Sequence, residues 1–162
     1  MVFSRFLPFA LAGLLVAACS DSQGPSDDTV AIADLVGTWQ ASSHQFADNA
    51  NSAVQVDLIA LGGETRMTVL ASGGARTWVT IGDCAAGPQP PCLYYDEFDA
   101  SLSIAGNVLT ITPVEASRDV MHYDLTLAGA VLTLTRSDAM FDFTLQGGEG
   151  VPATQRIVMT RQ

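Results

Sequence analysis

The chain has 162 residues, 48% of them hydrophobic and 15% charged, with no lysine, seven arginines and seventeen acidic residues for a formal net charge of −10. That length supplies one domain with a sizeable core, and the acidic balance works against binding to nucleic acid or to an anionic membrane surface. No phosphate loop, haem motif or metal-ligand spacing occurs, so neither a metal nor an organic cofactor is expected.

Residues Met1–Ala18 carry one positive charge, Arg5, then an apolar run from Phe6 to Val16, then Ala17 and Ala18. An apolar segment of this length suits a secretory signal better than a membrane span, which needs about 20 residues. Val16-Ala17-Ala18-Cys19 resembles the lipobox of bacterial lipoproteins. The resemblance implies cleavage before Cys19, a diacylglycerol on its thiol, and a lipid anchor as the membrane partner. Ser20 at the following position favours the outer membrane by the sorting pattern of enteric lipoproteins. The alternative is an ordinary signal cut after Ala18, with Val16 in place of a smaller residue. Residues 19–29 read as a flexible tether, because Ser20 to Asp28 is a run of Ser, Asp, Gln, Gly and Pro. Loss of the signal removes Arg5 and leaves six arginines against seventeen acids, a net charge of −11. That acidity serves either solubility or the capture of a basic partner.

The domain is assigned to residues 30–162. Val30–Val36 reads as a short helical lead-in. Strands are predicted at 38–46, 53–61, 65–71, 76–82, 97–105, 107–113, 119–128, 130–136, 140–146 and 154–161, separated by turn signals such as Gly62-Gly63, Gly106-Asn107 and Ser137-Asp138. With Cys19 lipidated, Cys84 and Cys92 remain as an even pair around Ala-Ala-Gly-Pro-Gln-Pro-Pro. A disulfide there closes a short loop in an oxidising compartment, worth roughly 2–3 kcal/mol by chain entropy. Further on, Ser101–Thr112 and Asp124–Thr135 form a near-repeat: an alternating strand, an Ala-Gly turn, a second alternating strand. Two successive hairpins in one register follow, with Leu102, Ile104, Leu109 and Ile111, then Leu125, Leu127, Leu132 and Leu134, on the apolar face. The alternation is extended through Phe141, Phe143 and Leu145 to Ile157 and Met159.

The fold class is therefore all-β, an antiparallel meander with one apolar face. Closure into a barrel of eight to ten strands removes exposed edges, and a β-sandwich is the alternative. Leu35-Val36-Gly37-Thr38-Trp39, a Gly-x-Trp opening the first strand, resembles the lipocalins and bacterial lipocalin-like lipoproteins. The resemblance implies an up-and-down barrel with an internal cavity, in which the Trp packs across the closed end beneath an Arg from near the last strand. Arg161 takes that part because it shares a face with Ile157 and Met159, and Arg136 is the runner-up. The second and third lipocalin motifs are not found.

Extrapolating the alternation from Trp39 turns Ala41, Ser43 and Gln45 inward, opposite Val54, Val56, Leu58, Ala60, Met67, Val69, Ala71, Thr77, Val79 and Ile81. The candidate ligand cavity comprises Ala41, Ser43, Val56, Leu58, Val69, Val79, Phe141 and Phe143. A core filled by Phe98, Tyr123, Phe141 and Phe143 is the alternative. His44 and His122 fall on the wet face, so no acid–base pair or Ser-His-Asp arrangement points to catalysis, and no enzyme is expected. Two functions remain: a lipoprotein holding a small apolar ligand, or an envelope interaction or inhibitor module. The latter would use the acidic rim Tyr94–Asp99 and an exposed Trp78 against a basic protein such as a lysozyme.

Overall fold

The structure, a computed structural model, describes residues 29–82 and 94–162. Cys19, Cys84 and Cys92, with the signal, most of the tether and the short loop, lie outside the described residues. A four-residue helix, α1 (Ile32–Leu35), precedes nine strands: β1 Gly37–Asp48, β2 Gln55–Asp57, β3 Glu64–Val69, β4 Gly74–Ile81, β5 Tyr94–Ala105, β6 Val108–Pro113, β7 Met121–Ala128, β8 Val131–Phe141 and β9 Val151–Arg161. Strands β1 and β3 to β9 pair antiparallel in sequence order, and β9 returns to β1. The result is a closed eight-stranded up-and-down barrel, as expected, with β2 as one extra strand on the distal half of β1.

The near-repeat forms two hairpins in the same register: Leu102 faces Ile111 and Ile104 faces Leu109, while Leu125 faces Leu134 and Leu127 faces Leu132. Gly106 and Gly129 open the two-residue loops at φ 61° and 60°. A positive φ at the first loop position is the type II′ arrangement, for which glycine is the suitable residue.

Two expectations about strands require correction. The segment 53–61 is mostly turn, with only Gln55–Asp57 in strand conformation. No separate strand occupies 140–146: β8 runs through Ser137 and Asp138 to Phe141, and a register shift between Arg136 and Ala139 absorbs one extra residue. Strand pairing outweighed the turn propensity of Ser-Asp because a β-bulge tolerates an unpaired residue. Asn49 stabilises it by donating its side-chain amide to the Ser137 carbonyl at 3.0 Å.

One end of the barrel is filled. Leu35, Trp39, Leu109 and Leu132 are fully buried there, with Met159, Val69 and Leu134 at 1% exposure. The Trp39 indole N–H donates to the Leu35 carbonyl at 2.7 Å, fastening α1 across the opening. The Arg161 guanidinium lies over the indole, 4.7 Å from its centroid, and also donates to the Asp34 carbonyl. Gly37 makes the turn from helix to strand at φ 132°, a backbone conformation that side chains resist. Trp39→Ala should lower the unfolding free energy by about 3–5 kcal/mol, and Arg161→Ala by about 0.5–1 kcal/mol. Urea titrations check both, and the double variant should lose less than the two single losses added together.

Candidate functional site

The other half of the barrel takes its character from one irregularity in β1. Trp39 pairs with Arg161 and Ala41 with Met159, but the next partner of β9 is Ser43, opposite Val158. Ser42 is the extra residue, a β-bulge, and its hydroxyl donates to the Val158 carbonyl at 3.3 Å. Since side chains alternate with a period of two, one extra residue exchanges the faces of everything beyond it. His44 and Phe46 therefore point inward, with exposures of 2% and 6%.

The Asp57 carboxylate holds this geometry. It accepts the Ser43 hydroxyl at 2.8 Å, the His44 N–H at 3.1 Å and the Ile59 N–H at 2.9 Å. Burial pushes the Asp57 carboxyl up, but the His44 N–H, the Ser43 hydroxyl and the N–H groups of Ile59 and Ala60 outweigh it, leaving its pKa below the ordinary value. The Leu58 N–H closes the gap by donating to the His44 carbonyl at 2.9 Å.

Inside, polar groups join in one chain. His44 Nδ1 lies 2.8 Å from the Thr65 hydroxyl, and His44 Nε2 lies 2.7 Å from Gln155 Nε2. Gln155 Oε1 accepts from the Tyr123 hydroxyl at 2.9 Å and from Arg136 Nε at 2.7 Å. With that amide oriented so, Gln155 Nε2 donates to His44 Nε2, and His44 carries its proton on Nδ1 toward Thr65. Burial lowers the His44 pKa to about 4, Asp57 opposes that shift, and Arg136 adds to it. Burial also raises the Tyr123 pKa, so its hydroxyl remains a donor.

This network forms one wall of a cavity of about 420 Å³ between the filled end and a second cluster of Phe46, Leu58, Ile81, Ala139 and Ala153. Met67, Phe98, Ile111, Leu134, Ile157 and Met159 line it toward the filled end, while Phe46, Leu58, Val79, Ile81 and Phe141 line it toward the other. Phe46 stacks on Phe141 at 4.0 Å, and Phe141 meets Phe143 edge-on at 5.0 Å. The Thr77 hydroxyl, also in the lining, is buried without a hydrogen-bond partner among the described residues. Tyr94 and Met140 belong to the lining yet are 46% and 60% exposed, which marks them as its rim. Filled and hollow readings both apply, each to one half.

Of the eight residues assigned to the cavity from sequence, Leu58, Val79 and Phe141 line it. Ala41 and Val69 are packed into the filled end. Ser43 turns away to Asp57 because of the bulge, while Val56 and Phe143 pack against the second cluster from outside the lining. The expectation that His44 is solvated is wrong for the same reason as Ser43. His122 is exposed, 3.1 Å from the Thr110 hydroxyl. Arg136 stands 5.4 Å from the Tyr123 ring inside the barrel rather than over Trp39.

The Tyr94–Asp99 run alternates faces as a strand must. Tyr94, Asp96 and Phe98 face the cavity, and Asp96 receives both Arg118 Nη groups at 2.7 and 3.0 Å. Glu97 accepts from Arg76 and from the Tyr95 hydroxyl, each at 2.6 Å. Trp78 is half-buried rather than exposed, between Arg66 at 5.2 Å and Tyr95 at 5.8 Å. No group of three or more His, Cys, Asp or Glu residues suited to a metal ion occurs among the described residues, and no helix there is long and apolar enough to cross a membrane. Comparison with protein-family models, curated proteins and solved structures gives no match.

The network ties stability to pH. His44 has its proton affinity depressed on folding, from 6.5 to about 4. Its contribution is therefore complete above pH 6.5 and is lost as pH falls toward 4, by about 3 kcal/mol in all. In urea titrations across that window, the wild type should lose stability more steeply than His44→Gln. Parallel profiles would place a solvated histidine at this position.

Proposed function

We propose that the chain is a lipid-anchored protein of the cell envelope whose barrel holds a small apolar molecule. The observation that carries this reading is the cavity of about 420 Å³, apolar on most of its wall and edged by one buried hydrogen-bonded network. Pockets for small molecules commonly combine those features at volumes of about 300–1,000 Å³. Tyr94 and Met140 form an amphipathic and an apolar rim through which such a molecule would enter. The Val16–Cys19 lipobox and the tether supply the address, and a lipid on Cys19 would hold the acidic domain at a membrane that its charge alone would repel.

An interaction module built on the acidic rim draws less support. Its Asp96 and Glu97 are each committed to an arginine, and Trp78 is half-buried with Arg66 over its ring.

Binding is tested with N-phenyl-1-naphthylamine, a neutral dye that fluoresces in apolar surroundings. The wild type should bind it saturably. Val79→Phe, which projects into the cavity, should weaken binding by about tenfold while costing about 1–3 kcal/mol of stability. Unchanged dye binding in that variant would put the dye elsewhere. For the anchor, full-length protein expressed in a bacterial envelope should partition into a detergent phase, and Cys19→Ser should move to the aqueous phase. Equal partitioning of the two would rule the anchor out.

A further inference from the structure

Among the described residues, three charged side chains line the cavity: Asp96, Arg136 and Asp142. The two carboxylates are already engaged. Both Asp96 oxygens take Arg118. Asp142 accepts the Thr144 N–H and hydroxyl at 2.8 and 2.6 Å, the Gln146 N–H at 3.2 Å and the Gly148 N–H at 2.8 Å. Arg136 differs. Its Nε donates to Gln155 and its plane lies near Tyr123, but no carboxylate is within ion-pair distance, and neither Nη has an acceptor, among the described residues.

Arg136 is half-buried, so its guanidinium loses part of its hydration without gaining an ion partner, and in a chain with seventeen acidic residues a neighbouring carboxylate would be an easy remedy. Gln155 engages Nε alone, and His44 in turn fixes the Gln155 amide. That leaves the two Nη groups, a planar two-pronged donor matched to a carboxylate. The geometry points to an apolar monocarboxylate as the occupant, with its chain among Phe46, Met67, Ile157 and Met159 and its head on the Nη edge of Arg136. The assignment rests on the reading that the barrel binds an apolar molecule. It adds the chemical class of that molecule, and it makes Gln155 and His44 positioning residues.

The test compares heads on a common chain. Decanoate, methyl decanoate, decanol and decylamine displace N-phenyl-1-naphthylamine from the wild type at pH 8, below their aggregation concentrations. Decanoate should compete about tenfold better than its methyl ester and decanol, with decylamine weaker still. Arg136→Gln should bring decanoate down to the level of decanol while decanol itself changes less than about twofold, and Arg136→Lys should keep part of the preference. Decanoate no better than its ester in the wild type overturns the assignment, as does a preference that survives in Arg136→Gln. Stronger competition by decylamine overturns it in favour of the rim carboxylates. The ester comparison needs no substitution, so it decides the matter even if Arg136→Gln fails to fold. Failure of the dye and all four compounds to bind the wild type would instead remove the barrel-binding reading, and the head-group assignment with it.

Discussion

One extra residue in β1, Ser42, decides which side chains that strand turns into the cavity half of the barrel. Up to Ala41 the first strand follows the alternation that begins at Trp39, and beyond Ser42 the alternation is reversed. A one-residue slip moves every following side chain to the opposite face. Here it exchanges Ser43 and Gln45 for His44 and Phe46 on the inner surface. The exchange is held by Asp57, whose carboxylate satisfies the Ser43 hydroxyl and the His44 N–H where β1 has left β3 and pairs only briefly with β2. The burial of His44 follows from that local repair, while Gln155 and Arg136 come to it by the unbroken alternation of β9 from Met159 and of β8 from Leu132.

The division of the barrel into two halves has the same origin. Below the bulge, large apolar side chains and α1 fill the interior, so Trp39 and Leu35 have no contact with solvent. Above it, β1 contributes an imidazole and a phenyl ring, and β8 and β9 contribute Arg136 and Gln155 at directly paired positions. A buried polar network is tolerable only when its members satisfy one another. In this one the ring nitrogens of His44 and the oxygen of Gln155 are all used, and Arg136, whose Nε donates to that oxygen, belongs to the cavity lining. The cavity wall is thus largely apolar, and of its charged side chains among the described residues Arg136 is the one without an ion-pair partner there.

Much of this was legible in the sequence, and the misplacement of Ser43 and His44 and the separate strand expected at 140–146 share one cause. The paired hairpins at 101–112 and 124–135 alternate cleanly around Gly106 and Gly129, so strand, turn and inner face could all be read. Gly37, Trp39 and Arg161 were readable from position and register. The bulges were not, because Ala41-Ser-Ser-His-Gln-Phe46 has too few apolar residues to reveal a change of phase. A signal was nonetheless present. Trp39 and Phe46 are seven residues apart, an odd separation that cannot place both on one face of an unbroken strand. Leu134 and Phe141 show the same odd separation, and there too the chain contains an extra residue rather than the turn that Ser137-Asp138 suggested. Apolar residues of opposite parity within one strand are thus the trace of a bulge, and the bulges in β1 and β8 both adjoin the cavity.

The inward placement of His44 is most directly tested by a nitrogen-resolved NMR spectrum of the imidazole at pH 6. The buried network requires a neutral ring protonated on Nδ1, with a resolved N–H signal protected from rapid exchange with water. A ring in fast exchange with solvent, partly charged at that pH and without the Nδ1 proton, would mean that β1 continues unbroken and that the network does not exist.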